Sequence, residues 1–200
     1  MADVSHAVEV LGQDDHYQGF YNLSSFRLRH TLFQGGWSEP LKRELLHRGS
    51  CVAVLPYDPV RDEVLLIEQF RIGALNRKDP PWLTEIVAGG VELGESPEAV
   101  AHREGMEEAG VRFSHLHRIG EFFTSPGGTS EKVTLFVGEV EGPLAAGLHG
   151  LSDEHEDIRA WVVPFDEALE GVSSGEVDSV IPALAILWLS SHRERLRSSR

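Results

Sequence analysis

Gly89-Gly90-Val91-Glu92-Leu93-Gly94-Glu95-Ser96-Pro97, running on through Arg103-Glu104-Gly105-Met106-Glu107-Glu108-Ala109-Gly110-Val111, decides how this chain folds. Ser96 suits an N-cap, and Pro97 suits the first helical position, where a missing N–H costs nothing. Gly110 can take the left-handed conformation that ends a helix. The stretch therefore predicts a helix capped by Ser96 and closed by Gly110, entered from a glycine-bearing segment. At about 100° per residue, Glu104, Glu107 and Glu108 fall within roughly a 100° arc. Ala99, His102, Met106 and Ala109 fall on the opposite side and are expected to pack on a sheet.

Carboxylates at spacings of three and four repel, by a few tenths of a kcal/mol per exposed pair. Partly desolvated, two such charges ~4 Å apart would repel by up to ~4 kcal/mol at an effective dielectric near 20. Arg103 and His102 are the only basic residues on the helix, too few to neutralise all three acids. A divalent cation would, and oxygen-only donors point to magnesium or manganese rather than zinc or copper. Taken by themselves, the three glutamates fit an exposed acidic face equally well.

Outward from this helix, Thr84 to Ala88 reads as the strand that leads into it. Upstream, Cys51 to Leu55 and Glu63 to Ile67 read as buried strands joined by a hairpin with Pro56-Tyr57-Asp58-Pro59 in its turn. Asn76 to Pro81 reads as a polar loop. Ser24 to Leu32 alternates, with Phe26, Leu28, His30 and Leu32 on one side; Gln34-Gly35-Gly36 supplies a turn and Leu41 to His47 a returning partner. The first twenty residues are polar and acidic without a period, and are expected to fray. Downstream come strands at His117–Thr124, Val133–Val140 and Ile158–Val163, then helices at Asp166–Val172 and Pro182–Leu196. Gly142 to Asp157 forms a long segment without a period, a length more often functional than not. Strands interrupted by helices predict an α/β chain of the α+β kind, its mixed sheet sandwiched between helices. Residues 1–47 are expected to form a small N-terminal antiparallel β appendage, and 48–200 the main domain.

Composition excludes several classes. The 200 residues carry 32 acids against 18 bases, a formal charge of −14, so neither a nucleic-acid backbone nor an anionic membrane is an expected partner. One cysteine, Cys51, excludes an internal disulfide framework and a thiolate zinc cluster. Met1 to Tyr17 has acids where a secretory signal needs a basic end and an apolar core. The longest apolar stretch, Val180 to Leu189, is about half the ~20 residues of a membrane helix. The expected location is cytoplasmic, with no membrane partner. Gly171-Val172-Ser173-Ser174-Gly175, with Asp178 and His192 downstream, matches a serine-esterase pattern, but that pattern needs a preceding strand and here follows a predicted helix.

The spacing as a whole resembles the Nudix box: Gly89, five residues, Glu95, seven residues, Arg103-Glu104, two residues, Glu107-Glu108, one residue, Gly110, then apolar Val111. Gly105 departs from it, standing where the family usually has an apolar residue, and is expected to loosen the helix. Ser125-Pro126-Gly127-Gly128-Thr129-Ser130-Glu131 follows, with Pro126 sixteen residues beyond Gly110, a marker that resembles the bacterial ADP-ribose pyrophosphatase group. The resemblance implies a magnesium-dependent hydrolase (manganese as substitute) acting on a nucleoside diphosphate sugar, working as a homodimer through the N-terminal appendage. It implies Glu104, Glu107, Glu108, the Ala88 carbonyl and Glu156 as metal ligands, Glu154 as general base and Arg103 as the residue orienting the box glutamates. Arg71, Arg43, Ser125, Gly128 and Glu131 are implied as substrate contacts, Arg43 from the partner subunit. Trp37 is a candidate for stacking on adenine or for ordinary packing. Hydrolysis of another nucleoside diphosphate sugar, or of a nucleoside triphosphate, and ADP-ribose binding without turnover are the alternatives.

Overall fold

The computed structural model describes residues 6–152 and 155–198. They form two compact units, one from Met1–Ser50 with Phe123–Lys132, the other from Cys51–Phe122 with Val133–Arg200.

In the first unit, β1 (Val8–Gln18), β2 (Asn22–His30) and β3 (Leu41–His47) make an antiparallel sheet in that order. The expectation that the first twenty residues fray is corrected by β1, which pairs along most of β2. Its register shifts between Val10 and Gly12 and again between Asp15 and Tyr17. Each shift turns the following side chains to the other face, so no period of two survives in the sequence. The Gly35-Gly36 turn between β2 and β3 carries φ of 92° and 80°, a conformation glycine takes without strain. Among the described residues of this unit only Ser24 and Ser25 are buried. The Ser24 hydroxyl donates to Asp15 at 2.6 Å and meets His47 Nε2 at 3.0 Å, while Ser25 meets His16 at 2.7 Å. A sheet centred on polar contacts lacks an apolar core of its own.

The second unit is built on an eight-stranded mixed sheet: β4 (Ser50–Asp58), β5 (Glu63–Phe70), β6 (Trp82–Glu85), β7 (Val87–Gly90), β8 (Phe113–Phe123), β9 (Lys132–Val140), β10 (Gly147–His149) and β11 (Ile158–Pro164). The order is β10-β11-β5-β4-β9-β8, with β6 on β5 and β7 on β4. Strand alternation divides the core in two. Val52, Val54, Leu65, Ile67, Val87 and Phe136 face α1 (Pro97–Ala109), packing with Val100, Ala101 and Ala109. Ala53, Leu55, Tyr57, Val64, Leu66 and Leu135 pack with α2 (Phe165–Ser174) and α3 (Val180–Ser198). Covered on both sides, β4 and β5 read as apolar runs instead of alternating ones. No helix among the described residues is long and apolar enough to cross a membrane.

The β4–β5 turn lies later than expected: Pro56 to Asp58 stay in β4, and Asp58 Oδ1 caps the turn by accepting from the Val60 and Arg61 N–H groups at 2.8 and 3.1 Å. Asp62, with φ of 63°, then ties the turn to the helical layer. Its carboxylate accepts from Tyr57 Oη at 2.8 Å, Arg193 Nε at 2.8 Å and Arg197 Nη1 at 3.1 Å, and its carbonyl accepts from the Phe165 N–H at 2.9 Å. Burial pushes the Asp62 carboxyl up, but the bonds from Arg193 and Tyr57 outweigh it and hold its pKa below the ordinary 3.8. The stability this gives is complete above about pH 4 and is lost as pH falls through the depressed folded-state value. Asp62→Asn is expected to cost about 2–3 kcal/mol at pH 7, since the arginines keep their charges without a carboxylate. Thermal melts should then fall by about 5–10 °C and show a weaker drop below pH 4 than wild type. Melts of equal temperature and acid sensitivity would contradict this role.

Candidate active site

The ends of α1 follow the local chemistry of the sequence. Ser96 Oγ accepts from the Ala99 N–H at 3.2 Å, Pro97 is the first helical residue, and Gly110 ends the helix with φ of 63°. The Gly110 N–H donates to Met106 O at 3.2 Å and the Val111 N–H to Gly105 O at 2.9 Å, satisfying carbonyls of the last turn.

The buried face of the helix differs from the expected one at three of its four positions, Ala109 alone packing as expected. Val100, Ala101, Glu104, Gly105, Glu108 and Ala109 form the buried stripe, while Ala99, His102 and Met106 are exposed. Two of the glutamates therefore lie under the helix, against the sheet. Small residues on that stripe let the helix come close, and Gly89 of β7 opens the space Glu104 occupies. A Cβ on Gly89 would fall 1.6 Å from Glu104 Oε1, so the box glycine is needed to leave room for the box carboxylate.

Glu108 is 2% exposed, and its Oε2 accepts from the Ala88 N–H at 2.7 Å. Burial pushes its pKa up to about 8, and the charges of Glu104 and Glu156 push the same way against the Ala88 bond and Arg71. Burial likewise raises Glu104, with Arg103 opposing. The Arg103 guanidinium spans the cluster. It donates to Glu95 Oε1 at 3.2 Å, Glu104 Oε1 at 2.7 Å, Glu107 Oε2 at 3.0 Å and the Gly90 carbonyl at 3.2 Å. Glu95 in turn accepts from the Glu92 N–H, and Arg103 holds its carboxyl below the ordinary range.

Arg71 follows β5 and is fixed by Glu85 of β6, whose Oε2 accepts from Arg71 Nε at 2.9 Å and Nη2 at 2.8 Å and from Gln69 Nε2 at 3.3 Å. Desolvation opposes the Arg71 charge, and Glu85 more than compensates. Glu85 is a residue that sequence reasoning missed; a carboxylate in a strand leading into the helix was the available signal. Glu156 accepts weakly from the Leu151 N–H at 3.4 Å, and its charge acts on Glu104, Glu108 and Arg71. The segment before it is tied to α1 by the Gly150 N–H, which donates to Glu107 O at 3.2 Å. Glu154 lies outside the described residues.

The remaining expected contacts belong to the first unit. Arg43 and Gly128 line a hollow of about 580 Å³ with Leu23, Lys42, Glu44, Leu46 and Gly127. The Ser125 carbonyl accepts from the Gly128 and Thr129 N–H groups, while Glu131 accepts from Thr124 Oγ1 at 2.8 Å and pairs with Arg48 at 3.2 Å. The Arg29 guanidinium lies 5.0 Å over the Trp37 ring, giving that tryptophan a packing partner. The esterase pattern does not assemble. Ser173 sits in the last turn of α2 and donates to Leu169 O, Asp178 pairs with Arg77, and His192 bonds Trp188 O.

Among the described residues no three His, Cys, Asp or Glu side chains stand in a ligand arrangement, and Arg103 engages two of the carboxylates. The donor set is nonetheless that of a hard divalent ion: carboxylate oxygens, two of them, Glu104 and Glu108, raised in pKa by burial first and by neighbouring carboxylates second.

A model of the NUDIX domain matches residues 47–183. The ADP-ribose pyrophosphatase of Escherichia coli strain K12 is 46% identical over 191 residues, covering 96% of this chain and 91% of that one. The protein of the same name from Haemophilus influenzae is 41% identical, covering 100% of this chain and 95% of its own. A solved structure described as an ADP compounds hydrolase superposes with a TM-score of 0.71 over 95% of this chain and 96% of that one; at 17% identity the likeness is one of fold. With Glu104 and Glu108 of its box buried beneath a capped helix and its match running through most of its length, the chain belongs to the Nudix family.

Proposed function

We propose that this protein hydrolyses the diphosphate of ADP-ribose to AMP and ribose 5-phosphate, with magnesium as cofactor and manganese able to replace it. The observation that carries this reading is the intact carboxylate cluster of α1 in a chain that matches, nearly end to end, relatives named ADP-ribose pyrophosphatase. Glu104, Glu107, Glu108, Glu156 and the Ala88 carbonyl would hold the cation. When bound, it would polarise the diphosphate and lower the pKa of a water.

The chain's own residues would do the rest. Arg103 keeps Glu104 and Glu107 in one orientation through its paired bonds. Arg71, aimed by Glu85, meets negative charge on the diphosphate. Glu154 takes the proton of the attacking water as its oxygen bonds to phosphorus and the bridging P–O bond breaks, the electron pair leaving with the departing phosphate. A base that belongs in sequence to the segment before β11, and not to α1, leaves the helix carboxylates free for the cation. Ser125, Gly128, Glu131 and the partner's copy of Arg43 would contact the nucleotide sugar.

The proposal includes a cytosolic homodimer. Its support is the first unit, whose sheet buries only two serines and leaves Val8, Val10, Phe20 and Phe33 more than half exposed. A three-stranded sheet without an apolar core needs a cover, and a second copy supplies one. Light scattering at micromolar concentration should read a dimer; a monomer contradicts this part.

Glu108→Gln and Glu154→Gln are each expected to lower AMP release from ADP-ribose with magnesium by about 100-fold or more. Full activity in either would remove that residue's assigned role. A panel of nucleoside diphosphate sugars and triphosphates run alongside should favour ADP-ribose. Preference for another sugar nucleotide would move the substrate while keeping the chemistry, and bound ADP-ribose without turnover would make the chain a sensor.

A further inference from the structure

Phe113 opens β8 just after the turn that ends α1 and is 5% exposed. Its ring occupies a slot between two glycines. A Cβ on Gly105 of α1 would fall 2.5 Å from ring atom Cε2, and a Cβ on Gly138 of β9 would fall 2.4 Å from Cδ1. Neither position accepts a side chain while the ring stays in place. His102 flanks the ring from the helix, with centroids 5.9 Å apart.

Glycine inside a helix is less favourable than alanine, because it loses more backbone freedom on folding. Its use at Gly105 leaves room for the Phe113 ring. Gly105 follows Glu104 directly and precedes Glu108 by three residues on the same buried stripe. Whatever holds Gly105 at its distance from the sheet holds both carboxylates there. The 2.7 Å bond between Glu108 and the Ala88 N–H leaves little tolerance, because a close-packed interior passes a displacement on instead of absorbing it.

We propose that Phe113, wedged between Gly105 and Gly138, is a positioning residue that sets the seating of α1 on the sheet and so the placement of Glu104 and Glu108 for a divalent cation. The inference rests on the cation reading given under Proposed function, and needs no particular substrate.

The test compares wild type, Gly105→Ala, Phe113→Leu and the double variant, reading Mn²⁺ binding by electron paramagnetic resonance without substrate, then kcat and KM. Gly105→Ala is expected to bind Mn²⁺ about 10- to 100-fold more weakly, with kcat reduced and KM nearly unchanged. In the double variant the smaller leucine makes room for the alanine, so its loss should be well below the product of the two single losses. Wild-type Mn²⁺ affinity in Gly105→Ala, or losses that simply multiply, would overturn the proposal. If Gly105→Ala does not fold, Phe113→Leu alone decides: weaker Mn²⁺ binding in a folded variant upholds the wedge, and unchanged affinity overturns it. A wild type that binds Mn²⁺ but spares ADP-ribose defeats only the substrate reading, whereas one that binds no Mn²⁺ defeats the cation site and the wedge together.

Discussion

Glu108 brings a carboxyl group under a helix and against a strand, where water is excluded and the Ala88 N–H meets it at 2.7 Å. Left alone in such a place, a carboxylate is an expense to the fold, which is why burial and the nearby acids push its pKa up to about 8. Other parts of the site answer to that burial. Gly89 lacks a side chain so that Glu104 can share the space, Arg103 binds Glu104 together with the less buried Glu95 and Glu107, and Arg71 brings positive charge from the β5 side. The arrangement is unfavourable enough to require a function and ordered enough to perform one.

The two units solve burial differently. The sheet of the second unit is closed on both faces, and strand alternation assigns each apolar side chain to one helix layer or the other. The N-terminal sheet instead centres on Ser24 and Ser25, hydrogen-bonded to Asp15, His16 and His47. Such a centre specifies register but supplies little hydrophobic stabilisation.

Much of this was legible before any coordinates. Ser96, Pro97 and Gly110 delimit α1 because capping is local chemistry, and the apolar runs of β4 and β5 announce strands covered on both sides. Reading failed where tertiary contacts decide. The period of β1 is erased by two register shifts. The buried face of α1 was misassigned because glutamates count as polar in any periodicity, while here Glu104 and Glu108 share a stripe with Val100, Ala101 and Ala109. Gly105 looked like a weak point of the helix, since the Phe113 ring that needs its space is invisible from local sequence. Glu85 escaped notice because its role is defined only by Arg71, which β5–β6 pairing brings beside it.

The central claim, that the carboxylates turned inward on α1 form a divalent-cation site, is met most directly by calorimetric titration of chelator-stripped protein with magnesium, beside Glu108→Gln. The account expects saturable binding in the wild type that disappears in the variant. No binding heat in the wild type, even with a nonhydrolysable ADP-ribose analogue present, or equal binding in both proteins, would contradict it.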